Sequence, residues 1–161
     1  MTHYVVDTNV AVVANGRDGQ YDLDCRLTCV LQIQAIKNHA RHRTVLDDAG
    51  EILKEYHRLL NPHGQPGVGD EFYRFLLNFQ GNAKRVLRVT LDKDAQTGQY
   101  IAFPKDAALA NFDPSDRKFV AAARRGKAIV INAVDSDWKK HATPLKKAGV
   151  SVKELCPTCL T

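Results

Sequence analysis

A chain of 161 residues, 44% hydrophobic and 25% charged, is long enough to bury one core and too apolar to stay disordered. It contains no run of about 18 apolar residues and opens without a charged-then-apolar leader, so no membrane span or secretory signal is expected and the expected compartment is the cytoplasm. A net charge of +5 favours a polyanionic partner such as nucleic acid, although basic residues scattered in small groups also suit a plain solvated surface.

In chain order, Tyr4-Val5-Val6 followed by Asp7 reads as a short buried strand with a polar tip. Val10 to Val13 runs on into a turn at Asn15-Gly16-Arg17-Asp18-Gly19. Over residues 23–39, Leu27, Val30, Leu31, Ile33 and Ile36 recur at helical spacing. Thr44-Val45-Leu46 is the next strand, and Asp48 is placed to cap a helix that carries Ile52, Leu53, Tyr56 and Leu59 and stops at Asn61-Pro62. Asp70 is placed to cap a second helix bearing Phe72, Phe75, Leu76 and Phe79, a face apolar enough for a homodimer as well as a core. Residues 86–91 alternate like a strand, with residues 100–103 as a partner across the turn at 92–98. Phe112-Asp113-Pro114-Ser115-Asp116 opens a helix to Gly126, residues 128–132 form an apolar strand, Ser136 caps a helix through Leu145, and residues 150–155 give a last strand. Strands alternating with helices argue an α/β fold with a mainly parallel central sheet covered on both faces. One domain over residues 1–155 is expected, followed by a short cysteine-containing tail, 156–161.

Cys156 and Cys159 form a Cys-x-x-Cys near the end of the chain. A structural zinc site needs four ligands, and Cys25 and Cys29 complete one only if the tail folds back. Buried or idle reduced thiols are therefore the expectation, with Cys156 and Cys159 not zinc ligands.

The acids carry more information. In an open parallel sheet, functional groups gather at the carboxyl ends of the strands. Asp7 ends the first strand, Asp135 and Asp137 follow the strand at 128–132, and Asp116 lies at the start of the helix before it. Glu51 and Glu55 lie one turn apart on one helix face. Each alone has an ordinary explanation: a strand-end turn for Asp7, a helix-start acid for Asp113 and Asp116, solvated pairing with Lys54 or Arg58 for the glutamates. Together they crowd carboxylates at one sheet edge, which is costly unless a hard divalent cation such as Mg²⁺ or Mn²⁺ joins them. Such an ion supplies an activated water for phosphodiester hydrolysis.

Three segments, Tyr4-Val5-Val6-Asp7-Thr8-Asn9-Val10, Asp116-Arg117-Lys118-Phe119-Val120-Ala121-Ala122-Ala123, and Ala128-Ile129-Val130-Ile131-Asn132 with Asp135-Ser136-Asp137-Trp138, occur in the order and at the spacing of the PIN-domain nucleases. The chain resembles that family over residues 3–138. The resemblance implies a three-layer α/β/α sandwich and a metal-dependent endoribonuclease acting on RNA, or on DNA. It implies Asp7, Glu55, Asp116, Asp135 and Asp137 as metal ligands, with Glu51 as the alternative to Glu55, and Asn9 positioning Asp7 or the attacking water. It also implies a homodimer, and an antitoxin or another protein partner if the role is that of a toxin; RNA-processing and defence roles stand equally open. The longer segment at 93–111 and the cysteine tail depart from the family pattern. The competing reading is a PIN-fold domain that binds nucleic acid, or acts as a scaffold, without turnover. An aspartyl-phosphate mechanism wants a second acid where Asn9 stands, a receiver domain wants its acidic pair at the first strand rather than at Asp47-Asp48, and no glycine-rich dinucleotide turn or hydrolase nucleophile motif is present.

Overall fold

The β-branched runs of the sequence become five short parallel strands: β1 (Thr2–Val6), β2 (His42–Asp47), β3 (Val86–Val89), β4 (Ile129–Asn132) and β5 (Ser151–Glu154), in the order β3-β2-β1-β4-β5. The computed structural model describes residues 1–17 and 19–159. Asp18 of the expected turn, and Leu160 and Thr161 of the tail, lie outside the described residues. The helices are α1 (Thr8–Asn15), α2 (Leu23–Asn38), α3 (Glu51–Leu59), α4 (Val68–Phe79), α5 (Arg117–Gly126), α6 (Ser136–Lys140) and α7 (Ala142–Lys147). Helix α5 lies across β1 to β4, while α1, α2 and α4 pack on one another and reach the sheet through β2 and β4. The result is the expected α/β class, a central parallel sheet flanked by helices in three layers. Its core centres on Val5, Val130 and Ile131 of the middle strands and Phe119 and Val120 of α5, all fully buried. Among the described residues no helix is long and apolar enough to cross a membrane.

From β1 the chain moves outward through β2 to β3, then returns to the other side of β1 for β4 and β5. The direction reverses between β1 and β4. That is where an open α/β sheet leaves a crevice at the carboxyl ends of its strands.

Several local expectations need correcting. Residues 8–15 form a helix rather than leading into a turn. Val10, Ala11, Val13 and Ala14 are all buried, so α1 presents no polar face from which a helical period could be read. The N-cap position of α3 is Gly50, and the first-turn N–H groups of Glu51 (2.8 Å) and Ile52 (2.9 Å) donate to the Asp47 carboxylate, whereas Asp48 accepts from the Thr90 hydroxyl (2.7 Å). Residues 100–103 are not a strand: β3 pairs with β2, and the hairpin reduces to one antiparallel bridge between Lys93 and Tyr100. The helix expected from Ser136 to Leu145 is split at His141, capped by Asp135 rather than by Ser136. Pro144 explains the break: it has no N–H for the Lys140 carbonyl four residues back and its ring crowds that carbonyl, whereas in the first turn of α7 no such bond is needed. Of the apolar residues on α4, Phe72 and Leu76 are wholly buried in the core, Phe75 is half-buried and Phe79 is exposed; other exposed apolar residues on helices include Leu23, Leu27 and Leu31, four apart along α2. The tail folds back, and Cys25 and Cys156 form a disulfide rather than idle reduced thiols.

Candidate metal centre

Three aspartates reach the crevice, and each does so from the start of a helix. Asp7 follows β1 and caps α1, Asp135 follows β4 and caps α6, and Asp116 immediately precedes α5. One carboxylate oxygen from each lies within 4.8 Å of the others. Asp7 is held from two sides: one oxygen accepts from the Asn9 backbone N–H at 3.1 Å, the other from the Trp138 indole N–H at 2.7 Å. Both side chains are buried. Below them, the Tyr56 hydroxyl donates to the Val6 carbonyl at 2.5 Å and fixes the end of β1. Asp135 accepts from the Asp137 N–H at 2.9 Å, a cap bond that leaves its second oxygen for the crevice.

The loop that delivers Asp135 is stitched to α1 by two asparagines. Asn132, fully buried at the end of β4, donates to the Asp135 carbonyl (2.8 Å) and to Glu154 (2.6 Å), and accepts from the side-chain amide of Asn9 (2.9 Å). The Asn9 carbonyl oxygen in turn accepts from the N–H groups of Ala133 (2.9 Å) and Val134 (3.3 Å). Segments more than 120 residues apart thus share one network, and with it the separation of Asp7 and Asp135 is set.

Burial and crowding change the acids. The Asp7 carboxyl is raised to about 7, first by burial and then by Glu55 and Asp135; its bonds from Asn9 and Trp138 pull the other way. Asp116 is raised to about 9, again first by burial, then by Asp7, Asp135 and Asp113. Helix N-termini favour nearby negative charge, yet those of α1 and α5 do not offset the desolvation of Asp7 and Asp116. The cluster therefore takes up either protons or a compensating cation at neutral pH. Its donor set, all carboxylate oxygen, fits a hard divalent ion.

The other expected site residues are placed differently. Glu55 is buried beside the cluster, close enough to raise Asp7, but one oxygen accepts from the Lys118 ammonium at 2.8 Å and the other from the Thr8 hydroxyl. Glu51 lies toward solvent in an ion pair with Lys54 at 2.9 Å, which holds its carboxyl below the usual range. Asp137 points away from the three aspartates: it accepts from the Asp113 N–H at 2.8 Å and pairs with His141 at 3.2 Å. The Asn9 side chain holds the loop after β4; only its backbone N–H contacts Asp7. Asp113 is a cap, accepting from the backbone N–H (2.9 Å) and hydroxyl (2.8 Å) of Ser115.

Lys118, Thr8 and Asn132 carry parts of the site that sequence reasoning did not assign. Lys118 is only 8% exposed, unusual for lysine and a sign that its charge is paired. Its position two residues after Asp116 gave no hint of Glu55, which lies 63 residues away. No protein-family model, curated protein sequence or solved structure matches the chain.

Proposed function

We propose that this chain is a metal-dependent endoribonuclease. The observation that carries the reading is the meeting of Asp7, Asp116 and Asp135 at the sheet's reversal point, with Asp7 and Asp116 too acid-poor to ionise freely without a counter-charge. Mg²⁺ or Mn²⁺ held by these three acids would activate water and polarise a phosphodiester oxygen. Trp138 and the Asn9 backbone keep Asp7 oriented, the Asn9–Asn132 network keeps Asp135 opposite it, and Lys118 holds Glu55 at the margin. Beyond Arg117, next in the chain to Asp116, residues 94–110 shape a cavity of about 430 Å³ lined in part by Tyr100, Phe103 and Lys105. Arg117 and Lys93 lie over the Phe103 and Tyr100 rings at 4.8 and 4.9 Å, and Arg117 with Lys105 gives this cavity a cationic lining that suits an RNA phosphate.

The test is cleavage of a mixed RNA and DNA panel by purified protein with added Mg²⁺ or Mn²⁺, with EDTA and Asp7→Asn as controls. Metal-dependent RNA cleavage lost in both controls is expected, and cleavage that survives EDTA overturns the metal reading. One observation favours the second reading, a nucleic-acid-binding domain without turnover: the Glu55–Lys118 ion pair leaves only three acids uncompensated. RNA binding without cleavage under any metal would support that reading instead. A toxin, RNA-processing or defence role, and with it an antitoxin or other protein partner, follows only once the substrate is known.

A further inference from the structure

All four cysteines of the chain gather away from the carboxylate site, where the tail folds over the first turns of α2. Cys25 and Cys29, one helical turn apart, both face inward, at 4% and 0% exposure. Cys156-Pro157-Thr158-Cys159 closes a turn in which the Cys159 N–H donates to the Cys156 carbonyl at 2.9 Å. The sulfurs of Cys25, Cys29 and Cys156 lie within 4.8 Å of one another. Cys159 is partly buried against the same core, outside that group of three, and its thiol donates to the Asp22 carboxylate at 3.4 Å; the Cys29 thiol is pushed up to about 12, chiefly by burial.

The Cys25–Cys156 disulfide accounts for two of these sulfurs and leaves Cys29 and Cys159 as free thiols beside it. Two ligands a helical turn apart, facing two more across a Cys-x-x-Cys turn, form the paired arrangement that tetrahedral thiolate zinc needs. Cys25 also lies in the first turn of the sixteen-residue α2, where the helix dipole favours a thiolate. Burial opposes a lone thiolate at Cys29, but a metal ion compensates that charge and deprotonates its ligands.

We propose that in the reduced protein Cys25, Cys29, Cys156 and Cys159 form a four-thiolate site for Zn²⁺ that clamps the C-terminal tail onto α2. A dithiol reductant delivers two electrons and two protons to the Cys25–Cys156 disulfide and is itself oxidised to a disulfide. The four thiols then release four protons as the ion binds. Oxidation runs the same steps backward, freeing the metal and re-forming the disulfide, so the tail is held in either state.

The test uses the full chain, reduced with a phosphine and titrated with Co²⁺ and then Zn²⁺. One Co²⁺ per chain, showing thiolate-to-cobalt charge transfer and tetrahedral ligand-field bands, with Zn²⁺ displacing it, is the expected result. Cys29→Ser and Cys159→Ser leave the disulfide pair intact, so each folds in the oxidised form as a control. After reduction, each should weaken Zn²⁺ binding at least about tenfold, while Asp7→Asn leaves it unchanged. Absence of the charge-transfer band in the reduced chain, or cysteine variants that bind Zn²⁺ as tightly as the parent, overturns the proposal.

Discussion

Asp116 holds its proton up to about pH 9 because burial comes first and three neighbouring carboxylates, Asp7, Asp135 and Asp113, add to it. Replacing that carboxyl should have opposite effects on stability and on activity. Asp116→Asn keeps the shape, so the metal-free protein at about pH 8 should melt higher than the parent, because the parent carboxyl must take up a proton on folding there and the amide need not. Cleavage should fall by more than the roughly 100-fold that loss of a supporting residue causes, because a ligand is lost. Thermal melts with EDTA and initial rates with Mn²⁺ check both halves, and a variant that is both less stable and fully active would refute the assignment. Trp138 gives a second residue-level expectation. Trp138→Phe removes the indole donor from Asp7, so the carboxyl should titrate still higher and metal affinity should drop about tenfold. Isothermal titration with Mn²⁺ reads this directly. At this scale the three aspartates were legible in the sequence because each follows or opens an element whose apolar pattern is clear. That Asp137 and Glu51 stand outside this cluster was not legible. Spacing fixes a residue's place on a helix, whereas their actual partners, Asp113 and His141 in one case and Lys54 in the other, depend on how the helix starts are turned.

The strands announce themselves through short runs such as Val5-Val6 and Ile129-Val130-Ile131, and the parallel order follows from the helices between them. What the sequence hid at the level of elements has a common cause, contact between segments far apart in the chain. Helix α1 is buried among α2, α3 and α4 and so shows no amphipathic period. The tail returns to α2 across a separation of 131 residues, which no local pattern records. The α1–α4 crossing also depends on a glycine. A Cβ at Gly69 would lie 1.9 Å from the Ala11 carbonyl oxygen, and one at Gly67 would lie 2.4 Å from the Asn15 amide oxygen. Backbone cannot yield as a flexible side chain can, so Gly69→Ala should cost about 3 kcal/mol in overpacking. It should also weaken metal binding, because α1 carries Asp7 at its start. Gly81→Ala, where a Cβ meets nothing within 4 Å, is the matched control. Equilibrium urea unfolding of the two variants checks the difference, and equal midpoints would mean that α1 and α4 do not cross this closely.

For the whole molecule, the carboxylate cluster ties folding to pH and metal together. In the unfolded chain Asp7 and Asp116 titrate near 3.8; in the folded, metal-free chain they titrate at about 7 and about 9. Between those values the folded state binds more protons than the unfolded one, so stability falls as pH rises from about 4 through about 7 and on to about 9. A cation removes the repulsion by replacing the protons, and its effect should grow over the same window. Mg²⁺ or Mn²⁺ should therefore raise the melting temperature more at about pH 8 than at about pH 5.5, with proton release on binding. Melts at both pH values with metal and with EDTA, together with titrations in two buffers of different ionisation enthalpy, measure the two consequences separately. In Asp116→Asn the metal-dependent gain at the higher pH should largely vanish. A gain of equal size at both pH values, without proton release, would place the ion somewhere other than among these three aspartates.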